Sequence, residues 1–97
     1  MSYKITVTYT KPNAETALHT PAVELINLID TYFDAGKITQ KPVLVEDVLT
    51  STYTTIFNSE SDYSEFIDED LIIANNNSRE THCNDNSITY EIQEGIS

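Results

Sequence analysis

The densest group of chemically capable side chains in this sequence is the stretch FNSESDYSEFIDED. It places six carboxylates within eleven residues and interleaves Tyr63, Phe66 and Ile67 with them. Paired carboxylates act as general acid and general base, and carboxylate clusters bind calcium. Catalysis and metal binding are therefore the first two hypotheses for this stretch.

A calcium loop of the EF-hand type needs regularly spaced oxygen ligands and a glycine at its sixth position. No loop that begins at Asp62, Asp68 or Asp70 has that glycine, because the chain's two glycines are Gly36 and Gly95. The same shortage of glycine excludes a phosphate-binding loop and a dinucleotide-binding fingerprint. We expect no functional metal site and no bound cofactor.

Catalysis by two carboxylates requires one of them to lie in an apolar environment. On a helix, Tyr63, Phe66 and Ile67 fall on one side. The carboxylates on the opposite side are Asp62, Glu65, Asp68 and Glu69. These four predict a solvated acidic face.

Asp70 breaks this amphipathic pattern, because it projects onto the apolar side of the helix. Either the helix ends before Asp70 and a new turn begins, or its carboxylate points inward. The first arrangement is favoured, since burying an unpaired charge costs several kcal/mol.

The adjacent pair His82 and Cys83 suggests nucleophilic or metal chemistry. Adjacent side chains generally point apart, His19 is the other histidine of the chain, and there is no second cysteine. Both chemistries need a constellation that this spacing does not supply. We expect a structural or exposed pair in a loop, no catalytic residue and no enzymatic activity. A lone cysteine also excludes an internal disulfide.

Charge is spread unevenly along the chain. Residues 1–50 have a net charge of −2, whereas residues 51–97 carry ten acids against Arg79 alone, for a net charge of −9. Such a surface disfavours direct binding of nucleic acid or anionic membrane and favours a basic protein partner. No apolar run approaches the ~20 residues of a membrane span.

The elements that must position these residues begin with YKITVTYT, whose strict alternation predicts a strand. Residues 21–35 follow as a helix, with Thr20 as N-cap and Gly36 just beyond the C-terminus. Two strands are predicted at about 41–45 and 48–57.

The second half continues with a helix that begins after Asn58 or Ser59 and runs to about residue 69. The asparagine-rich residues 75–78 predict a break in regular structure. The alternation of Ile88, Tyr90 and Ile92 with polar residues predicts the closing strand.

The resulting order, βαββαβ, predicts a ferredoxin-like α+β fold in a single domain, residues 1–97. Its antiparallel sheet has two helices on one face. The other face must be polar or covered, and we expect a homodimer or a larger assembly to cover it. Tyr53, on the threonine-rich strand, is the predicted exposed aromatic of an interface. The predicted interaction residues are Tyr53, Asp62, Glu65, Asp68 and Glu69.

The segments YKITVTYTKPN, FNSESDYSEF and NSITYEIQE resemble small uncharacterised proteins of marine contractile-tailed bacteriophages, the cyanophage-like myoviruses. This resemblance implies a viral origin, a location in the host cytoplasm or the virion, and a virion-associated role. It transfers no catalytic residue.

Three functions follow from these features. The leading hypothesis is a small acidic, non-enzymatic interaction protein that belongs to the virion or to its assembly. The alternative is an early phage inhibitor that uses its acidic surface against a basic or nucleic-acid-binding host protein. The weaker alternative is a dimeric ferredoxin-like enzyme or small-molecule binder. Its pocket would draw polar groups from His19, His82, Asp70 and the tyrosines.

Overall fold

The computed structural model describes residues 1–96 and confirms the ferredoxin-like α+β fold. Its four antiparallel strands lie in the order β2-β3-β1-β4. The elements along the chain are β1 (Tyr3–Thr10), α1 (Val23–Asp34), β2 (Ile38–Glu46), β3 (Thr50–Phe57), α2 (Glu60–Ile67), α3 (Asp70–Asp85) and β4 (Thr89–Ile96). No helix in the described residues is long and apolar enough to cross a membrane.

The register of the central strands decides which side chains face the helices. Tyr3 lies opposite Phe57, and Val7 lies opposite Tyr53. Because side chains alternate along a strand, these residues share one face of the sheet with Ile5. Helices α1 and α2 pack on that inner face, where Tyr3, Ile5 and Phe57 form the core. The outer face of β1 and β3 carries Thr6, Thr8, Thr52 and Thr54.

Helix α1 begins two residues later than the sequence predicts. Thr20 is not its N-cap, because Ala22 holds that position in an extended conformation and no side chain caps the helix. Because Ala22 is itself extended, with φ −67° and ψ 153°, the helix cannot begin at Pro21. Gly36 lies beyond the helix end with a φ of +78°, as its position in the sequence predicts.

Helix α2 begins where the sequence predicts. Ser59 is its N-cap, and the serine Oγ accepts a hydrogen bond from the backbone N–H of Asp62 at 3.1 Å. The helix ends at Ile67, and Asp70 is the exposed first residue of α3. The carboxylate of Asp70 therefore does not point inward, in agreement with the favoured of the two arrangements.

The predicted break at residues 75–78 is wrong, because α3 runs through it without interruption to Asp85. His82 and Cys83 consequently lie on a helix and not in a loop, and residues 1–96 form three helices where two were predicted. Asparagine lowers helix stability by under about 1 kcal/mol per residue. Burial of Ile72 and Cys83 against the rest of the protein offsets that cost.

Strand β2 forms one edge of the sheet, and its pairing with β3 is irregular. The register shifts between Ile38 and Gln40 and again between Gln40 and Val43, and Pro42 lies within the second shift. Proline has no N–H to donate, so an edge position beside a register shift accommodates it.

Candidate functional site

Two adjoining cavities lie between the inner face of the sheet and the helices. One has a volume of about 170 Å³ and is lined by Phe57 and Phe66; we call it the phenylalanine chamber. The other has a volume of about 240 Å³ and is lined by His19 and Tyr53; we call it the histidine chamber. They share wall residues from the sheet and helices, among them Arg79. Together they provide interior space for a small molecule.

The phenylalanine chamber is apolar and aromatic. The ring of Phe57 lies 5.3 Å from the ring of Phe66 and 5.2 Å from that of Tyr63. Tyr63 also donates a hydrogen bond to Glu94 at 3.1 Å. Burial, reinforced by Glu94, raises the pKa of Tyr63 to about 12. Its hydroxyl therefore stays protonated at neutral pH, and this chamber suits an apolar or aromatic group.

The histidine chamber is lined by two tyrosines as well as by His19. The ring of Tyr9 lies 5.9 Å from the ring of Tyr53, nearly perpendicular to it, and 5.8 Å from that of Tyr90. Burial raises the pKa of Tyr9, although the nearby charge of Arg79 acts in the opposite direction. A neutral Tyr9 hydroxyl can donate or accept a hydrogen bond in this chamber.

His19 lies in the segment that connects β1 to α1. Burial lowers its pKa, and His82 and Arg79 act in the same direction. The two imidazole rings are 5.9 Å apart. His82 fixes this segment, because its Nε2 donates a hydrogen bond to the carbonyl oxygen of Ala17 at 2.8 Å. His19 is therefore held at the chamber in its neutral form, which can accept a proton.

Arg79 is the charged side chain at both chambers. Helix α3 places its guanidinium carbon 5.0 Å from the ring centre of Tyr90, a cation–π contact. Its Nε is buried and has no hydrogen-bond partner within residues 1–96. In the same part of the chain, no aspartate or glutamate lines either chamber. The cavity thus contains a cation without a counter-ion of its own.

The four acidic residues singled out in the sequence lie on and just after α2, outside both chambers. Glu65 forms an ion pair with Lys37 at 2.8 Å. Asp62 accepts a hydrogen bond from the Ser59 hydroxyl at 3.0 Å. Glu69 accepts one from the Tyr32 hydroxyl at 3.0 Å, and Asp68 is exposed beyond the end of the helix. These carboxylates have local structural partners or face solvent.

Tyr53 differs from the sequence-based description of an exposed aromatic. It is half-buried, lies opposite Val7 on the inner face of the sheet, and lines the histidine chamber. Threonines occupy both faces of β3, so composition could not tell which face was the outer one.

Arg79 is the site residue that the sequence analysis missed. A signal was present in its helical surroundings. The residues three and four positions away, which are its neighbours on a helix, are Asn75, Asn76, His82 and Cys83, and none of them is an acid. Residues 51–97 contain ten acids, yet none of them lies three or four residues from Arg79. This pattern indicates that the arginine is not paired within its own helix and is available to contact another group.

Within residues 1–96, no three His, Cys, Asp or Glu side chains are grouped as metal ligands. Cys83 is buried in α3, and burial raises the pKa of its thiol. The thiolate form that nucleophilic chemistry needs is therefore disfavoured.

No protein-family model and no curated protein matches this chain. Solved structures do match. Rv0793 from Mycobacterium tuberculosis has a TM-score of 0.66 at 11% identity, covering 100% of this chain and 95% of its own. SnoaB, a cofactor-independent oxygenase from Streptomyces nogalater, has a TM-score of 0.60 at 9% identity, covering 99% and 92%. A Deinococcus radiodurans protein assigned to the antibiotic biosynthesis monooxygenases has a TM-score of 0.60 at 10% identity, covering 97% and 91%. At these identities the likeness shows the fold.

These neighbours contradict two predictions, the non-enzymatic virion or assembly protein and the acidic inhibitor of a host protein. The similar structures include an oxygenase and a protein assigned to the monooxygenases. In this chain the fold holds two adjoining cavities. Both findings favour the weaker alternative, an enzyme or small-molecule binder with a pocket between sheet and helices. The resemblance to phage proteins is untested by these comparisons and stays a prediction.

Proposed function

We propose that this protein is an enzyme that acts on a small organic molecule bound in the phenylalanine and histidine chambers. The observation that carries the proposal is the cavity itself. Its walls are mainly apolar and aromatic, and a few polar side chains converge on it, among them Tyr9, His19, Asn75 and Arg79. This composition is typical of ligand sites, where apolar walls hold the molecule and a few polar groups orient it.

The structural neighbours favour oxygenation as the reaction class, since SnoaB is a cofactor-independent oxygenase. Without a cofactor, the electrons that reduce O₂ come from the substrate, which releases them more readily after losing a proton. A balanced reaction of this kind converts a CH₂ group and O₂ into a carbonyl group and water. In this chain the candidate proton acceptor is His19, whose pKa burial lowers.

A matched pair of cavity variants tests the proposed site. Thr55 lines both chambers, whereas Thr31 is exposed on α1 and lines neither of them. Thr55→Phe should fill the cavity and weaken binding of the neutral bicyclic probe 2-naphthamide at least tenfold, while Thr31→Phe should leave binding near the unaltered level. Titration followed in two-dimensional amide NMR spectra gives both affinities and the location of the probe.

Equal affinities in the two phenylalanine variants would contradict the proposed site. Oxygen uptake with a panel of bicyclic phenols and ketones extends the test to catalysis. We expect an activity that Thr55→Phe abolishes and Thr31→Phe retains. His19→Asn should lower the turnover number without unfolding the protein, because it removes the proton acceptor.

We also propose that a second copy covers the outer face of the sheet, as the sequence predicts. The threonines of that face are only partly exposed, and Thr8 and Thr52 contact each other across the strands at 3.4 Å. Size-exclusion chromatography with light scattering should give the mass of a dimer. A monomer at high protein concentration would refute this proposal.

A further inference from the structure

The guanidinium of Arg79 has an unusual electrostatic position. The ion pairs found within residues 1–96 join Lys37 to Glu65 and Lys41 to Asp30, so the cavity arginine forms none. Its Nε is shielded from solvent and has no hydrogen-bond partner in the same residues. Keeping a polar N–H out of water without a hydrogen-bond partner costs free energy. The folded protein bears that cost at its cavity.

The absence of a counter-ion is notable in a chain with sixteen acids and five lysines and arginines. Acids are plentiful on α2, yet in the described residues none lines either chamber. The aromatic ring of Tyr90, 5.0 Å from the guanidinium carbon, holds the charge without neutralising it. The arginine is thus positioned but not neutralised.

We infer that the ligand of this cavity is an aromatic carboxylate, with its carboxylate bound by Arg79 and its ring in the phenylalanine chamber. This inference rests on the proposed function and specifies the chemistry of the bound molecule. The planar guanidinium matches a carboxylate through two parallel N–H donors. Asn75 lines the same two chambers and offers a further amide donor.

The position of the ring follows from the walls around Arg79. Beside the arginine, the phenylalanine chamber is lined by Phe57, Tyr63 and Phe66. The ring centre of Phe57 lies 5.2 Å from that of Tyr63 and 5.3 Å from that of Phe66. Edges and faces of these rings suit another aromatic ring. A ligand with a ring and a carboxylate satisfies both the apolar chamber and the unpaired cation.

The test compares 2-naphthoate with its neutral analogue 2-naphthamide by isothermal titration calorimetry at neutral pH. The unaltered protein should bind the carboxylate at least tenfold more tightly than the amide. Arg79→Met should reduce that ratio to about one, because it keeps an unbranched apolar stem and removes the charge and the N–H donors. Lys37→Met is the matched control, since it removes an exposed cation that is already paired, and it should keep the preference.

Equal affinity of the unaltered protein for the two probes, or a preference that survives Arg79→Met, would overturn the inference. If the amide binds and Thr55→Phe blocks it but the carboxylate has no advantage, the inference fails and the proposed function stands. If neither probe binds the unaltered protein, both fail. If Arg79→Met does not fold, as judged by circular dichroism, the two-probe comparison in the unaltered protein still decides the inference. Arg79→Lys keeps the charge but loses the planar pair of N–H donors. This variant should then retain part of the preference for the carboxylate probe.

Discussion

The acidic surface of α2 and the cavity beneath that helix handle charge in opposite ways. On the surface, Glu65 pairs with Lys37 at 2.8 Å, and Asp62 accepts a hydrogen bond from Ser59. In the cavity, Arg79 has no carboxylate partner in the described residues. A high density of charge in the sequence therefore marks a helix face in contact with water. The isolated charge, which sequence inspection passes over, marks the candidate site.

The largest effect is expected on the cavity side of α2. Phe57 is 2% exposed and contacts the rings of both Tyr63 and Phe66. Phe57→Ala should lower the free energy of unfolding by about 3–5 kcal/mol, through lost burial and the space left behind. Urea denaturation followed by circular dichroism measures it. A loss under about 1 kcal/mol would show that the helix does not depend on this packing.

A smaller effect is expected where α2 begins. Ser59→Ala removes the side chain that accepts the hydrogen bond from the Asp62 backbone N–H, and it should cost about 1 kcal/mol. Ser61→Ala, at an exposed position of the same helix, is the control. The same denaturation experiment compares the two variants. Equal losses of unfolding free energy would mean that the Ser59 side chain does not stabilise the helix as a cap.

A pH-dependent effect is expected at the histidine chamber. Burial lowers the pKa of His19, so the unfolded chain takes up the proton first as the pH falls. Stability is then lost as the pH drops below the ordinary histidine pKa of about 6.5 and through the lowered one. His19→Asn should remove this part of the loss, seen as a flatter profile of melting temperature between about pH 7 and 5. Identical profiles would contradict the partial burial of the imidazole.

The smallest effect is expected on the acidic face itself. Glu65→Gln breaks the exposed ion pair with Lys37 and should lower stability the least of these variants, because exposed ion pairs contribute little. The cost should shrink further at high salt, because exposed charges are screened. Denaturation at low and high ionic strength measures both. A loss of stability larger than that of Ser59→Ala would show that the acidic face contributes more to stability than the helix cap does.

The sequence predicts those parts of the fold whose pattern is local. Alternation in YKITVTYT identifies β1, and Ser59 identifies the start of α2. Residues 75–78 fail as a predicted break because local propensity disfavours a helix there, while packing of Ile72 and Cys83 from the same helix decides the outcome.

The candidate site is less accessible to sequence reasoning, because long-range pairing assembles it. His19, Tyr53 and Arg79 come from a connecting segment, a strand and a helix, and no spacing rule links them. Tyr53 could be assigned to the inner face only from its pairing opposite Val7. The acidic stretch is conspicuous in the sequence because it contains many carboxylates, whereas the candidate site depends on a single arginine.

The irregular edge strand β2 has a consequence for association between molecules. Its segment Val43–Val45 is exposed and apolar, and a flat edge of that kind templates the addition of further strands. In this protein the two register shifts and Pro42 interrupt the regular row of N–H and C=O groups that an incoming strand would need. The same irregularity that accommodates a proline thus shortens the regular part of this edge to residues 43–46.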